Sequence, residues 1–297
     1  MADINRTTSI TLPSDVSAEI LQKTQEASAV MQLARHIPLP GRGLTIPVIT
    51  GDPTAAWVAE TAAKPVSNST LNTKLMQAYK IAVIETFSKE FVRDAAALYQ
   101  ALVQRLPFAL SAVFDSTVVG ATAVPGSNFD TFAACTAQSI LPGTGGTGTY
   151  AGLVAADTDI AVHGGLMNGI ALAPQARGIL LAAVDSTGRP LFVNSTAEGA
   201  INRILGAPTY MNKGIYKAPI TSGATSPAIV GIAGDWTQAL YGTVEGVEIS
   251  VSDTATLTSG STTINLWQQN MVAVRAEIEV GFRADTSCFN LLTGATS

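Results

Sequence analysis

The sequence predicts an α+β fold: one long helix lies along a long antiparallel sheet, and a segment of alternating α and β elements stands beside them. Three observations carry that expectation. Leu98, Leu102, Leu106, Leu110, Phe114 and Val118 recur at i+4, the apolar stripe of a long helix. Val272, Val274, Ala276, Ile278, Val280 and Phe282 alternate with Ala273, Arg275, Glu277, Glu279 and Arg283. That period of two runs over about 11 residues, against a usual strand of about 5–6. Between these runs, short apolar stretches alternate with helical ones from about residue 150 to 242.

Taken in order, residues 1–40 read as an arm. "DVSAEILQKTQEAS" places Val16, Ile20, Leu21 and Ala27 near one helical face, and "IPLPGRG" then breaks regular structure. Residues Leu44–Phe87 read as one long β-hairpin, with "LTIPVI" going out and "KLMQAYKIAVIETF" coming back. A two-stranded hairpin is marginal alone in water, so this one needs a neighbour. Pro107 falls inside the long helical stripe and should kink or split it, at a cost of about 3 kcal/mol.

After a loop-rich stretch, "TDIAVHGGLMNG" reads as a helix with Asp157 or Thr158 as its cap. "GIALAP" is a short strand and "PQARGILLAAV" a helix with Pro174 in its first turn. "DSTGRPLF" is a turn followed by a strand, "TAEGAINRIL" a helix and "GAPTYM" the next strand. In "GVEISVS", Val247, Ile249 and Val251 alternate as in a strand.

Composition narrows the function. The chain has 297 residues, of which 13% are charged and 47% apolar. Typical globular chains carry about 25% charged residues. Extensive subunit contact and a large core both account for the difference. A net charge of −5 argues against an electrostatic nucleic-acid binder, although such a chain could line a container of DNA. Cys135 and Cys288 give neither metal spacing nor a disulfide framework and read as small buried hydrophobes in a reducing compartment. "MADINRTTSI" lacks the apolar core of a signal peptide. The uncharged run Thr131–Ala156 is long enough to span a membrane, but Pro142 and "GTGGTG" make it loop, so no membrane segment is expected.

Catalytic signals are weak. His36 and His163 are far apart and read as core or surface residues. "GTGGTGTY" has no Lys-Ser/Thr for a phosphate loop. "GDW" at Gly234–Trp236 reads as a turn with a packed Trp. No carboxylate pair, metal cluster or cofactor site stands out, although residues 150–242 leave room for an α/β enzyme. One stretch resists these bland readings. "AAWVAETAAKPVSNST" puts Trp57 in a turn-rich excursion, where a large apolar side chain has no evident pocket.

Several motifs in order resemble the major capsid protein of tailed bacteriophages, a fold shared with encapsulin nanocompartments. "WVAETAAKPVS" is similar to that family's extended-loop motif, and "IETFSKEFVRDA" to its passage from loop to spine helix. "ILGAPTYMN" is similar to its Leu-Gly-x-Pro signature, and "IAGDWTQALYGTVEGVEI" to its Gly-Asp-Trp/Phe strand. "NMVAVRAEIEVGFRADTSCFNLL" is similar to its C-terminal strand and final segment. The resemblance covers about residues 44–292.

It implies an N-terminal arm (1–40), an extended loop (41–87), a peripheral domain (88–125 with 243–285) and an axial domain (126–242 with 286–297). It implies a structural protein and not an enzyme. Such a subunit self-assembles as hexamers and pentamers into an icosahedral head around double-stranded DNA, contacted weakly, in the host cytoplasm. An encapsulin-type shell around enzyme cargo is the alternative. The resemblance leaves room for scaffolding, portal and decoration proteins as partners and implies no cofactor or metal. Some relatives begin with a long helical assembly segment; this chain opens almost directly at the arm.

In the same resemblance Trp57 is an intersubunit anchor. Some members join subunits through isopeptide links, and Lys64, Asn270 and Glu277 stand at matching motif positions, as amine, amide and base. If 270–277 is one extended strand, Asn270 and Glu277 are about 23 Å apart on opposite faces. One chain then cannot supply both to one site. The plain alternative is a solvated loop Lys, a strand-start Asn and a surface Glu.

Overall fold

The computed structural model describes residues 23–24, 27–41, 43–51, 55–58, 60, 63–64, 66, 70–89, 95–142, 148–185, 187–192, 201–223, 225–244, 246–259 and 262–295. Their main frame is a five-stranded and a six-stranded sheet.

The centre of the first sheet is the alternating run read from the sequence. It extends to 14 residues as β14 (Met271–Ala284). On one side it pairs antiparallel with β4 (Tyr79–Ser88). On the other, β10 (Ala239–Thr243) takes its C-terminal half and β11 (Glu248–Ser252) its N-terminal half, both antiparallel. From the arm, β1 (Arg35–Pro38) adds to β10 in parallel.

The long helix, α2 (Ala95–Val118), packs against β4 and β14. Leu106, Leu110, Phe114 and Val118 are buried, as the i+4 stripe requires; the Leu98 and Leu102 side chains lie outside the described residues. The Phe114 and Phe282 rings meet edge-on, with centroids 6.1 Å apart. The helix is not split at Pro107. The lost N–H costs one hydrogen bond, and the buried turns at 106, 110, 114 and 118 hold the helix together across it.

The hairpin differs from its expected form. β2 (Leu44–Gly51) pairs antiparallel with β3 (Thr70–Met76), but the chain then turns at Gln77–Ala78 and becomes β4, a partner of β14. The expected return limb is therefore two strands in two sheets. The alternation of Tyr79, Ile81, Val83 and Phe87, all packed on the core, explains why the second half joins the larger sheet.

The six-stranded sheet has the order β5 (Thr136–Ser139), β15 (Phe289–Thr293), β9 (Ile229–Gly234), β6 (Gly169–Leu172), β8 (Ala207–Met211), β7 (Arg203–Ile204). It is covered on both faces. Ala171, Ile232, Phe289 and Leu291 face the core shared with the long helix; Ile170, Leu172, Val230, Ala233 and Leu292 face a second core. This explains why "GIALAP" reads as a continuous apolar run. The second core also takes Leu153, Ala156 and Ile160 of α3 (Gly148–Val162) and Ala176 and Leu180 of α4 (Pro174–Ala182). Phe132 joins the two sheets: its ring lies 5.6 Å from Phe282 of β14 and stacks 4.4 Å from Phe289 of β15.

Other local expectations meet corrections. α3 begins at Gly148, so Asp157 and Thr158 lie inside it and do not cap it; the Thr158 hydroxyl instead donates to the Val154 carbonyl. Among the described residues around the Asp185 turn, Val184 and Pro190 form a bridge and no strand follows. Of the helix expected over "TAEGAINRIL", residues 196–200 fall outside the described residues, and the described half, 201–205, is not helical: Arg203–Ile204 is β7. Of the arm helix residues, Val16, Ile20 and Leu21 lie outside the description, as does most of "GTGGTG". A second small hairpin, β12 (Thr256–Ser259) with β13 (Thr262–Asn265), precedes β14. No described helix is long and apolar enough to cross a membrane.

Candidate assembly surface and crosslinking residues

The excursion between β2 and β3 holds Trp57 and Lys64. Trp57 is 105% exposed and Val66 89% exposed, and Lys64 is exposed as well. Burying an indole removes about 200 Å² of surface, worth about 5 kcal/mol before ordering costs. The described part of this chain offers Trp57 none of that.

The root of the hairpin, in contrast, is held firmly. Arg283 of β14 donates to the Leu75 carbonyl from Nε at 2.9 Å and Nη2 at 2.6 Å. The same guanidinium meets Asp130 Oδ1 at 2.7 Å and Asn128 Oδ1 at 3.0 Å. Asp130 also accepts from the Ala284 N–H at 3.1 Å and lies 3.8 Å from Lys74 Nζ. At the entry, Gly43 has φ +84°, and a Cβ there would lie 2.6 Å from the Met76 carbonyl oxygen. Only glycine fits that approach. The hairpin thus leaves the body at a fixed place with an exposed indole on its excursion.

Asn270 lies just before β14 and Glu277 in the middle of it. Asn270 is not part of β14. It closes the turn after β13 with φ +53°, a left-handed conformation that Asn tolerates, and its side chain is exposed. The opposite-face argument, which needed an extended residue there, does not apply; the separation along β14 does. Glu277 is not a free surface carboxylate. It lies 3.2 Å from Lys80 and 3.1 Å from Arg275, and its side chain is only 13% exposed. Hydrogen bonding to Glu277 is the main cause that raises Lys80 above its ordinary value. Register explains the cluster. Glu248 stands directly opposite Glu277 on β11, and Lys80 opposite Glu279 on β4. Like charges across a strand pair repel, and the two cations offset them. A depression of about 220 Å³ opens here, lined by Lys80, Val244, Gly246, Glu248, Glu277 and Glu279.

The remaining sites read from the sequence are structural. Asp235 caps a 3-10 turn, Trp236–Gln238; burial works against its charge, but bonds from Thr237, Leu166 and Asn168 prevail and hold the carboxyl below its ordinary value. Trp236 is buried and donates Nε1–H to the Gly169 carbonyl at 2.8 Å. His36 bonds Thr243 and His163 bonds the Asp159 carbonyl, both at exposed positions. Cys288 is buried and Cys135 half-buried, where burial pushes its thiol up to about 12. Among the described residues no group of His, Cys, Asp or Glu could hold a metal ion. The Arg283 and Glu277 clusters were not foreseen. The cross-strand charge pattern of β14 was the available signal, but its partners lie on segments whose register the sequence does not state.

Comparison with known proteins bears on the whole chain. A model of the phage capsid family matches residues 8–286. The probable major capsid protein gp17 of Mycobacterium phage L5 is 31% identical over 302 residues, covering 95% of this chain and 89% of that one. A structure from Mycobacterium phage Ogopogo superposes with a TM-score of 0.72 at 19% identity, over 91% of this chain and 92% of the other. A capsid of an empty GTA particle gives a TM-score of 0.63 at 14% identity, over 91% and 90%.

Proposed function

This chain belongs to the phage capsid family as a major capsid protein, a structural component of the virion, and from that premise we propose how it builds a shell. Copies associate as hexamers and pentamers into an icosahedral head enclosing double-stranded DNA. The observation that carries this reading is Trp57, fully exposed on a hairpin clamped at its root by Arg283. Such an element is incomplete until a second copy covers it. The long helix with the five-stranded sheet serves as the peripheral domain, and the six-stranded sheet as the axial domain. Closed symmetry lets many identical copies cover such surfaces without growing open filaments. The net charge of −5 supports weak contact with the packaged DNA. Assembly takes place in the host cytoplasm, with scaffolding, portal and decoration proteins as further partners.

Within the shell, Lys64 of one copy forms an isopeptide bond with Asn270 of another. The neutral Lys64 amine attacks the Asn270 carboxamide carbon, a carboxylate takes a proton from the attacking nitrogen and passes it to the amide nitrogen, and the C–N bond breaks to release ammonia. Both side chains are exposed and accessible in the single chain. For Glu277 to act as the base, assembly must draw it away from Lys80 or Arg275, which hold it in the subunit.

Electron microscopy of the purified protein, with sedimentation at high concentration and scaffold supplied, tests the shell. Closed particles with co-purifying DNA are expected. Monomer alone overturns the shell reading, and closed particles holding an enzyme in place of DNA turn it to an encapsulin-type compartment.

A further inference from the structure

Among the described residues Asp115 is the acidic side chain with no solvent exposure at all. It sits near the end of α2, yet its hydrogen-bond donors come from the arm. Ser28 Oγ donates to Oδ1 at 2.6 Å, the Ala29 N–H to Oδ2 at 3.0 Å and the Val30 N–H to Oδ1 at 3.4 Å. Ser28 Oγ in turn accepts from the Met31 N–H at 3.0 Å. The helix α1 (Ala29–Leu33) is thus capped by one residue of its own and one more than 80 positions away. On the other side of Ser28, Asn212 Nδ2 donates to the Ala27 carbonyl at 2.6 Å.

A buried carboxylate is ordinarily matched by a cation. Among the described residues the bonds to Asp115 come from Ser28, Ala29 and Val30, and none of them is a cation. α1 has no ionisable side chain; in the sequence its flanks carry Lys23, Glu26 and Arg35, of which Arg35 is exposed and Glu26 lies outside the described residues. From 106 to 118, α2 has no ionisable group besides Asp115 itself. The 3-10 turn Lys213–Ile215 backs onto it, where a Cβ on Gly214 would lie 2.9 Å from Asp115 Cβ, but the Lys213 side chain is exposed. Tyr210 and Tyr216, half-buried, pack against the same core. Burial therefore dominates and pushes the Asp115 carboxyl up to about 7, against the bonds from Ser28, Ala29 and Val30.

We propose that Asp115 and the first turn of α1 form a latch coupling the docking of the N-terminal arm to the proton carried by this one carboxyl. The latch is a property of the single chain and does not depend on the shell. When the arm lifts, Asp115 meets water and returns to its ordinary value of 3.8. The docked form holds the proton more firmly, so its extra stability is fully present below that value and is lost as pH rises through about 7. The arm is held tightest in acid and loosens toward alkaline pH.

Hydrogen–deuterium exchange on the full chain, corrected for the intrinsic pH dependence of exchange, tests this. From pH 5 to pH 8 the protection of the Ala29, Val30 and Met31 amides should fall by about 10- to 100-fold. Amides of α3 should not follow. In Asp115→Asn the carboxamide stays neutral and one of its N–H groups opposes the Ala29 N–H, so protection is lower but varies by less than about 3-fold. Ser28→Ala supplies an independent check. It removes a donor that favours the anion, so the midpoint should move to higher pH while protection drops throughout. A flat wild-type profile, an unchanged slope in Asp115→Asn or an unmoved midpoint in Ser28→Ala overturns the latch.

Discussion

Arg283→Met keeps the aliphatic stem of the side chain and removes every donor of the clamp. Both bonds to the Leu75 carbonyl, the bond to Asn128 and the 2.7 Å pair with Asp130 are lost together. The pair is well shielded, with side-chain exposures of 11% and 19%. Removing one partner of a buried pair costs about 3–5 kcal/mol. Asp130 retains the Ala284 N–H and Lys74, so the lower end applies, about 3 kcal/mol. In a chain of this size each kcal/mol lowers the melting temperature by about 2 °C, giving a fall of about 6 °C. Thermal unfolding of the unassembled subunit by circular dichroism reads it directly. Arg283→Lys, which keeps the charge but not the forked geometry, should fall between the two. Pairing Arg283→Met with Asp130→Asn should recover about 1 kcal/mol or more of the summed loss. A melt within about 2 °C of wild type, or strict additivity in the pair, would refute the clamp.

Two further outcomes concern the excursion. Trp57→Ala should leave the subunit melt unchanged, because the indole touches nothing described, while it impairs assembly by about 2 kcal/mol or more per contact; an equal loss of subunit stability would make Trp57 an ordinary folding residue. Mature particles run on a denaturing gel should give a ladder of covalent multimers that disappears in Lys64→Ala and in Asn270→Ala; a single band at the monomer mass from expanded particles refutes the isopeptide bond.

What could be read from the sequence follows from the range of the forces involved. The stripe from Leu106 to Val118 and the alternation from Val272 to Phe282 were legible because one buried face imposes its period on a continuous segment. "PQARGILLAAV" was legible for a local reason, a proline in its first turn. The misses share the opposite property. The return limb of the hairpin looked continuous because the turn at Gln77–Ala78 carries no Gly or Pro, and only pairing with β14 splits it. α3 was placed too late because its first turns, "GTYAGLV", are glycine-rich and uncharged, and what makes them helical is packing of Thr149, Gly152 and Leu153 against β5 and β15.

The site shows the same division more sharply. Trp57 stood out because an apolar side chain in a turn-rich stretch contradicts its local setting. Arg283, Asp130 and Asp115 did not stand out, since each looks ordinary among its sequence neighbours. Arg283 falls on the polar face of an alternating strand, where a charge is unremarkable. Asp115 falls among the apolar turns of α2, where an acid is costly unless something caps it. The difference between the two was available in the sequence after all. An acid embedded in a helical apolar stripe demands partners, and the only open question was which segment brings them. Here it is the arm, whose Ser28 supplies a hydroxyl and whose next two residues supply free backbone N–H groups. A buried polar group of this kind points to a long-range contact that periodicity cannot locate, and in this chain it ties the arm to the helix that carries the sheet.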